Sequence, residues 1–128
     1  MPARDDFQYA VIRVVPRVER GECLNAGVVL FCRRRRFLGA RTALDETALA
    51  AVAPDCDPDE VRLQLAALER VAAGDGAGGP IAALEQSERF HWLTAPASTI
   101  VQPSPVHTGL TADPAAELDH LFARLVRR

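Results

Sequence analysis

Residues 7–32 read FQYAVIRVVPRVERGECLNAGVVLFC, and this stretch decides the fold. Phe7 to Val15 is rich in β-branched and aromatic residues and is apolar on both alternating faces, with Arg13 as its only charged residue. That pattern predicts a largely buried β-strand, and Pro16 ends it because proline cannot donate to a strand ladder. Ala26 to Cys32 predicts a second buried strand after a polar, turn-prone segment.

A third strand is predicted from Phe37 to Thr42, joined to the second by Arg33 to Arg36. Four adjacent arginines at a hairpin tip have two interpretations. They could form an anion or nucleic-acid patch, or they could be a solvated turn. We favour the solvated turn because no aromatic residue, on which a base could stack, is interleaved among the four.

From Leu44 onwards the sequence pattern predicts helices. Asp45 predicts the N-cap of a short helix that runs through Ala53. The run Asp57-Pro58-Asp59-Glu60 is a strong start signal for a second helix, which ends at the glycine-rich connector 74–79. Asp113 and Pro114 repeat that signal, and the apolar spacing after them predicts an amphipathic C-terminal helix.

The region between these helices is less regular. Ile81 to Gln86 predicts a short helix, whereas Ser87 to Thr94 and Thr99 to Val106 predict short strands interrupted by prolines. Together the elements predict an α+β fold, with an antiparallel or mixed sheet packed against three to four helices. At 128 residues, the chain is expected to be a single domain over 1–128.

Composition restricts the class of protein. No apolar run approaches the roughly 20 residues of a membrane helix, and the N-terminal MPARDDFQYA lacks the order of a signal peptide, so we expect a cytoplasmic protein without a membrane partner. The three cysteines have no C-x-x-C spacing, which argues against a disulfide framework and a zinc site. We expect no cofactor, and the sequence leaves a homo-oligomer open.

Charge is unevenly distributed along the chain. Residues 1–44 hold nine arginines against four acids, whereas residues 45–86 hold two arginines against nine acids. A basic strand region beside acidic helices could bind a polyanion, or the charges could pair within the fold. Because the formal net charge is −2, we expect no nucleic-acid partner.

The segment 87–110, SERFHWLTAPASTIVQPSPVHTGL, is the predicted functional region. It holds two of the three histidines and the only tryptophan, among many hydroxyl side chains. Its candidate binding residues are Arg89, His91, Gln102 and His107. Arg13 and Arg17, which lie near strand ends, complete the predicted binding set.

Catalysis is the weaker interpretation of this segment. His91 and His107 have no partner at metal-ligand spacing, so no metal ligand is assigned, and no serine lies in a G-x-S-x-G motif. A non-catalytic binding role is therefore favoured. The alternative is a small phosphate-directed hydrolase or nuclease-like enzyme that uses Arg89, His91 and His107 of the 87–110 segment.

Two stretches, YAVIRVVPRVERGECLNAGVVLFCRRRRFLGAR (9–41) and SERFHWLTAPASTIVQPSPVHTG (87–109), resemble one bacterial family, the domain of unknown function 3037. The resemblance covers nearly the whole chain. The family has no assigned activity, so no catalytic residue is carried over. Similar proteins tend to be encoded beside a HipA-like kinase, and the resemblance therefore implies a partner or accessory role.

Overall fold

Five antiparallel strands form one sheet in the computed structural model, which describes residues 3–127. The strands are β1 (Asp5–Val14), β2 (Leu24–Cys32), β3 (Phe37–Thr42), β4 (Val101–Pro103) and β5 (His107–Thr111). Their order is β3-β2-β1-β4, and β5 also pairs with β1. Since β4 pairs with the second half of β1 and β5 with the first half, both lie on the same side of that strand.

Four α-helices pack on the two faces of the sheet within residues 3–127. They are α1 (Glu46–Val52), α2 (Pro58–Ala73), α3 (Gln86–Leu93) and α4 (Pro114–Leu125). The first three cover one face, while α4 alone packs on the other face, against β2 and β3. The α+β prediction is confirmed, and the sheet is antiparallel. Among the helices of this described part, none is both long and apolar enough to cross a membrane.

The central strands are buried on both faces, as the sequence predicts. Along β1, Ala10, Ile12 and Val14 enter the core under α1 to α3, whereas Phe7 enters the core under α4. The pairing of β1 with β2 shifts register after Ile12. A strand covered on both sides must be apolar at nearly every position, which explains the run of Val and Ile.

The helix starts also follow the sequence. Asp45, Asp57 and Asp113 each accept a hydrogen bond from a first-turn amide, and they cap α1, α2 and α4 as predicted. At its other end, α2 terminates at Gly74, whose φ of 71° lies in the left-handed region. Such a backbone conformation favours glycine because it has no side chain to clash.

The prediction was wrong between residues 81 and 106. The segment from Ser87 to Thr94, predicted as a strand, forms α3 up to Leu93, with Thr94 as the C-cap; Phe90 and Leu93 lie three residues apart and both enter the core. The predicted helix at 81–86 is a single 3₁₀ turn, Pro80–Ala83. The predicted strand from 99 to 106 shrinks to the three residues of β4, and β5 begins only after it.

Ser104 and two prolines explain why the strand breaks between β4 and β5. The Ser104 amide donates to the Val11 carbonyl, but the Val11 amide donates to the Ser104 hydroxyl at 2.8 Å instead of to a backbone oxygen. The same hydroxyl donates to the Pro105 carbonyl. Pro103 is the last residue of β4, and Pro105, which follows Ser104, has no amide hydrogen with which to extend the ladder.

Candidate binding site

The six predicted binding residues do not form one site. Arg13 and Gln102 lie directly opposite each other on β1 and β4, so their side chains share a face of the sheet. His107 lies opposite Tyr9 on β5, with ring centroids 5.2 Å apart. Because Tyr9 and Arg13 are four residues apart on one strand, all of these side chains point to the face that carries α4.

Arg89 is 9% exposed and makes contacts within the fold. Its Nη1 donates to the carbonyls of Val71 and Ala72 at 3.0 and 2.8 Å, and its Nε donates to the carbonyl of Leu84. These carbonyls include the last turn of α2, where a cation also meets the negative end of the helix dipole. The contacts of Arg89 therefore stabilise the junction of α2 and α3, and a binding role for it remains a prediction.

Arg17 lies beyond the end of β1 in an exposed ion pair. Its Nη2 is 3.2 Å from each carboxylate oxygen of Asp55. The hydrogen bond from Arg17 is the main cause that lowers the pKa of Asp55 from its ordinary value. Because both side chains are largely exposed, this pair contributes little to stability.

His91 and His107 lie on opposite faces of the sheet. His91 belongs to α3, which packs on the face of α1 to α3, whereas His107 stacks against Tyr9 on the face of α4. The sheet separates the two imidazoles. The hydrolase alternative depended on these residues acting together with Arg89, and that arrangement is absent from the fold.

An apolar groove of about 420 Å³ opens between α2, α3 and β4. We call it the Trp92 groove because Trp92, 45% exposed, forms one of its walls. Nine of its thirteen lining residues come from the predicted functional region 87–110. None of the thirteen carries a charge. The lining consists of Ile12, Gln64, Ala67, Leu68, Trp92, Leu93, Ala95, Pro96, Ala97, Thr99, Val101, Gln102 and Pro103.

A second recess, which we call the polar cleft, has a volume of about 840 Å³ and a different chemistry. It lies on the same face of the sheet, where α3 meets the β2–β3 turn and the start of β1. Arg33 and Arg34 of the turn and Ser87 and His91 of α3 are among the residues that line it. The lining consists of Asp6, Phe7, Gln8, Phe31, Arg33, Arg34, Ser87, Phe90, His91, Thr94, Val106 and Thr108.

The turn at the polar cleft is held at two points. On one side, Arg35 pairs with Asp5 and donates to the carbonyls of Ala3 and Ala112. On the other, Gln86 at the start of α3 donates to the carbonyl of Arg36 at 2.9 Å. These contacts fix the backbone of the turn against both β1 and α3.

The sequence does not single out Arg33, Arg34 or Trp92 as residues that line a recess. The four arginines of the turn are exposed, as expected of a solvated turn, and Arg33 and Arg34 also line the polar cleft. Trp92 was assigned to a strand face, and its half-exposed position on a helix followed only from the packing of Phe90 and Leu93. The one available signal was the isolated tryptophan in a segment of small and polar residues. Within residues 3–127, no three His, Cys, Asp or Glu side chains form a group that could hold a metal ion.

These features define a small α+β protein with two recesses on the face of its antiparallel sheet that carries α1 to α3. A family model described as "Protein of unknown function (DUF3037)" matches residues 9–126. The chain therefore belongs to the DUF3037 family, and the resemblance seen in the sequence is confirmed. No curated protein and no solved structure gives a significant match to the chain.

Proposed function

We propose that this protein is a non-catalytic accessory protein that binds a protein partner through the Trp92 groove. The partner we propose is the HipA-like kinase that the family resemblance implies. The observation that carries the proposal is the 45% exposure of Trp92 beside an apolar groove built mainly by the 87–110 segment.

An exposed apolar surface of this kind favours protein binding. Contiguous apolar patches on soluble proteins mark interaction sites, and tryptophan is enriched among the residues that dominate binding free energy. Leu63, 70% exposed, lies one helical turn before Ala67 of the groove and extends the patch along α2. Burial of the Leu63 and Trp92 side chains in a complex would remove a large apolar area from water.

Charge beside the groove indicates the chemistry of the partner segment. Glu60 lies on an exposed position of α2, one turn before Gln64, whereas the neighbouring Asp59 is paired with Arg62. The groove itself is uncharged, so an apolar side chain is expected to enter it. A basic residue next to that apolar side chain would meet the acidic start of α2.

Co-expression with the HipA-like kinase of the same genome, followed by size-exclusion chromatography, tests the proposal. We expect a complex that persists at high salt, because apolar burial is not screened by ions. Trp92→Ala and Leu63→Asp should each weaken the affinity by about 30-fold, the effect typical of an interface hot spot. Affinities can be compared by titration calorimetry.

Leu110→Asp provides a matched control. Leu110 is 53% exposed on β5, outside the Trp92 groove, so the same charge is introduced at a comparable apolar position. We expect this variant to bind the kinase like wild type, and circular dichroism should show that all three variants are folded. The proposal fails if no complex forms at any salt concentration, or if Trp92→Ala and Leu63→Asp bind normally.

A further inference from the structure

The polar cleft carries an inference that is independent of the Trp92 groove. We propose that it binds the phosphoryl group of a phosphomonoester. Its walls bring two arginines together with an imidazole and several hydroxyl groups, which are supplied by three separate parts of the chain: the β2–β3 turn, α3 with its C-terminal cap, and β5.

The positive charge of the cleft is available for a ligand. Within residues 3–127, the side chains of Arg33 and Arg34 make no ion pair or hydrogen bond, whereas Arg35 of the same turn is fully engaged with Asp5 and two carbonyls. Asp6 is the single acid in the lining. The two guanidinium groups therefore outweigh the acidic charge at the cleft.

The arginines are held in place before any ligand arrives. Arg35 and Gln86 fix the two sides of the turn, as described above, so the backbone that carries Arg33 and Arg34 cannot swing away from α3. Only side-chain rotamers need to be ordered upon binding. Pre-ordering of this kind reduces the entropic cost of association.

The number and direction of donors favour a phosphoryl group over a carboxylate. A carboxylate has two oxygens in one plane, and a single arginine can satisfy them in a bidentate pair. A phosphoryl group presents three acceptor oxygens in tetrahedral directions. Arg33 and Arg34 on one wall, with Ser87 and His91 on another and Thr108 on a third, supply donors from several directions.

The rest of the ligand would be a small organic molecule. The volume of about 840 Å³ is typical of sites that take ligands of nucleotide or sugar-phosphate size. Phe31 and Phe90 line the cleft beneath the polar groups, and the centroids of their rings are 5.3 Å apart. An apolar or planar portion of the ligand would contact this surface.

Titration calorimetry at low ionic strength tests the proposal with adenosine monophosphate, glucose 6-phosphate and inorganic phosphate. Adenosine, glucose and acetate serve as the unphosphorylated comparisons. We expect phosphorylated probes to bind and their parent compounds not to bind, and the tightest probe would identify the kind of molecule that carries the phosphoryl group. Amide chemical shifts should change at Arg33, Arg34, Ser87 and Thr108.

The double variant Arg33→Ala/Arg34→Ala should weaken binding of the tightest probe at least about tenfold, because two charge-assisted donors are lost. The control is Arg70→Ala/Arg124→Ala, which removes the same two charges from exposed helix positions outside the cleft. The proposal is overturned if no phosphorylated probe binds, if acetate or a parent compound binds equally well, if the perturbed amides lie elsewhere, or if both double variants behave alike. Trp92→Ala should leave this binding unchanged, so failure here and failure of partner binding can be told apart.

Discussion

Replacing Arg89 by methionine should destabilise the fold, because Arg89 stabilises the junction of α2 and α3. The Arg89 guanidinium donates to three carbonyls, two of them at the end of α2, and the side chain is almost fully buried. Methionine retains the apolar stem but has no donor. The Ala72 carbonyl would then stay buried without its hydrogen-bond partner, whereas the Val71 carbonyl would keep only the bond from the Gly74 amide.

The size of the effect follows from these contacts. A hydrogen bond to a charged group contributes about 1.5–3 kcal/mol, and a buried polar group left unsatisfied costs about 1–3 kcal/mol. Such terms are not additive, and the variant also avoids the cost of burying a charge. We therefore expect a loss of about 3 kcal/mol in the free energy of unfolding. For a domain of this size, that corresponds to a decrease in Tm of about 10 °C.

Urea denaturation followed by circular dichroism at the helix band measures this loss. Arg124→Met, at an exposed position of α4, is the control and should change stability by less than about 0.5 kcal/mol. Gly74→Ala offers an independent check, because its φ of 71° is left-handed and the added Cβ would lie 3.1 Å from Nη1 of Arg89. A loss below about 1 kcal/mol for Arg89→Met would refute the assignment of Arg89 to the α2–α3 junction.

Three further predictions concern a strand, a turn and two thiols. Ser104→Ala should cost about 1–3 kcal/mol, measured by urea denaturation, because the buried amide of Val11 loses its acceptor; an unchanged midpoint would contradict this. Arg36→Gly should raise Tm slightly, by the equivalent of up to about 1 kcal/mol, since the φ of 50° is unfavourable for a residue with a Cβ; a lower Tm in differential scanning calorimetry would argue against it. Iodoacetamide at mildly alkaline pH should modify exposed Cys23 before Cys56, because burial, and then nearby carboxylates, raise the pKa of the Cys56 thiol. The opposite order in peptide mass spectra would show that exposure and pKa do not control the alkylation rates of these thiols.

The sequence predicts those elements that are encoded locally. β1 and β2 are recognisable because strands buried on both faces need continuous apolar residues. Asp57 and Asp113 mark helix starts because each is followed by proline at the first helical position. Both signals depend on a few neighbouring residues and need no knowledge of distant contacts.

The α3 segment shows where local reasoning fails. Phe90 and Trp92 fit an alternating strand pattern, while Phe90 and Leu93 fit a helix, and eight residues cannot distinguish the two periods. Its N-cap, Glu85, makes no side-chain capping bond, so the usual start signal is missing. Packing of Phe90 and the hydrogen bonds from Arg89 to α2 select the helix.

The polar cleft was beyond sequence reasoning for a different reason. Its lining runs from Asp6 to Thr108, and those residues become neighbours only when β5 pairs with β1. Arg33 and Arg34 are distinguished from Arg35 only by what each side chain contacts. Charge content alone could not separate a solvated arginine from one that lines a recess.

The interruption between β4 and β5 has a consequence for aggregation. The edge of the sheet opposite β3 consists of the three-residue strand β4 and the five-residue strand β5, which are separated by residues 104–106. An incoming strand from another chain could not extend one ladder along this edge, because Pro103 and Pro105 offer no amide hydrogen. A continuous edge beside strands as apolar as β1 and β2 would be a template for fibril growth. The two prolines thus protect a valine-rich sheet from polymerising through this edge.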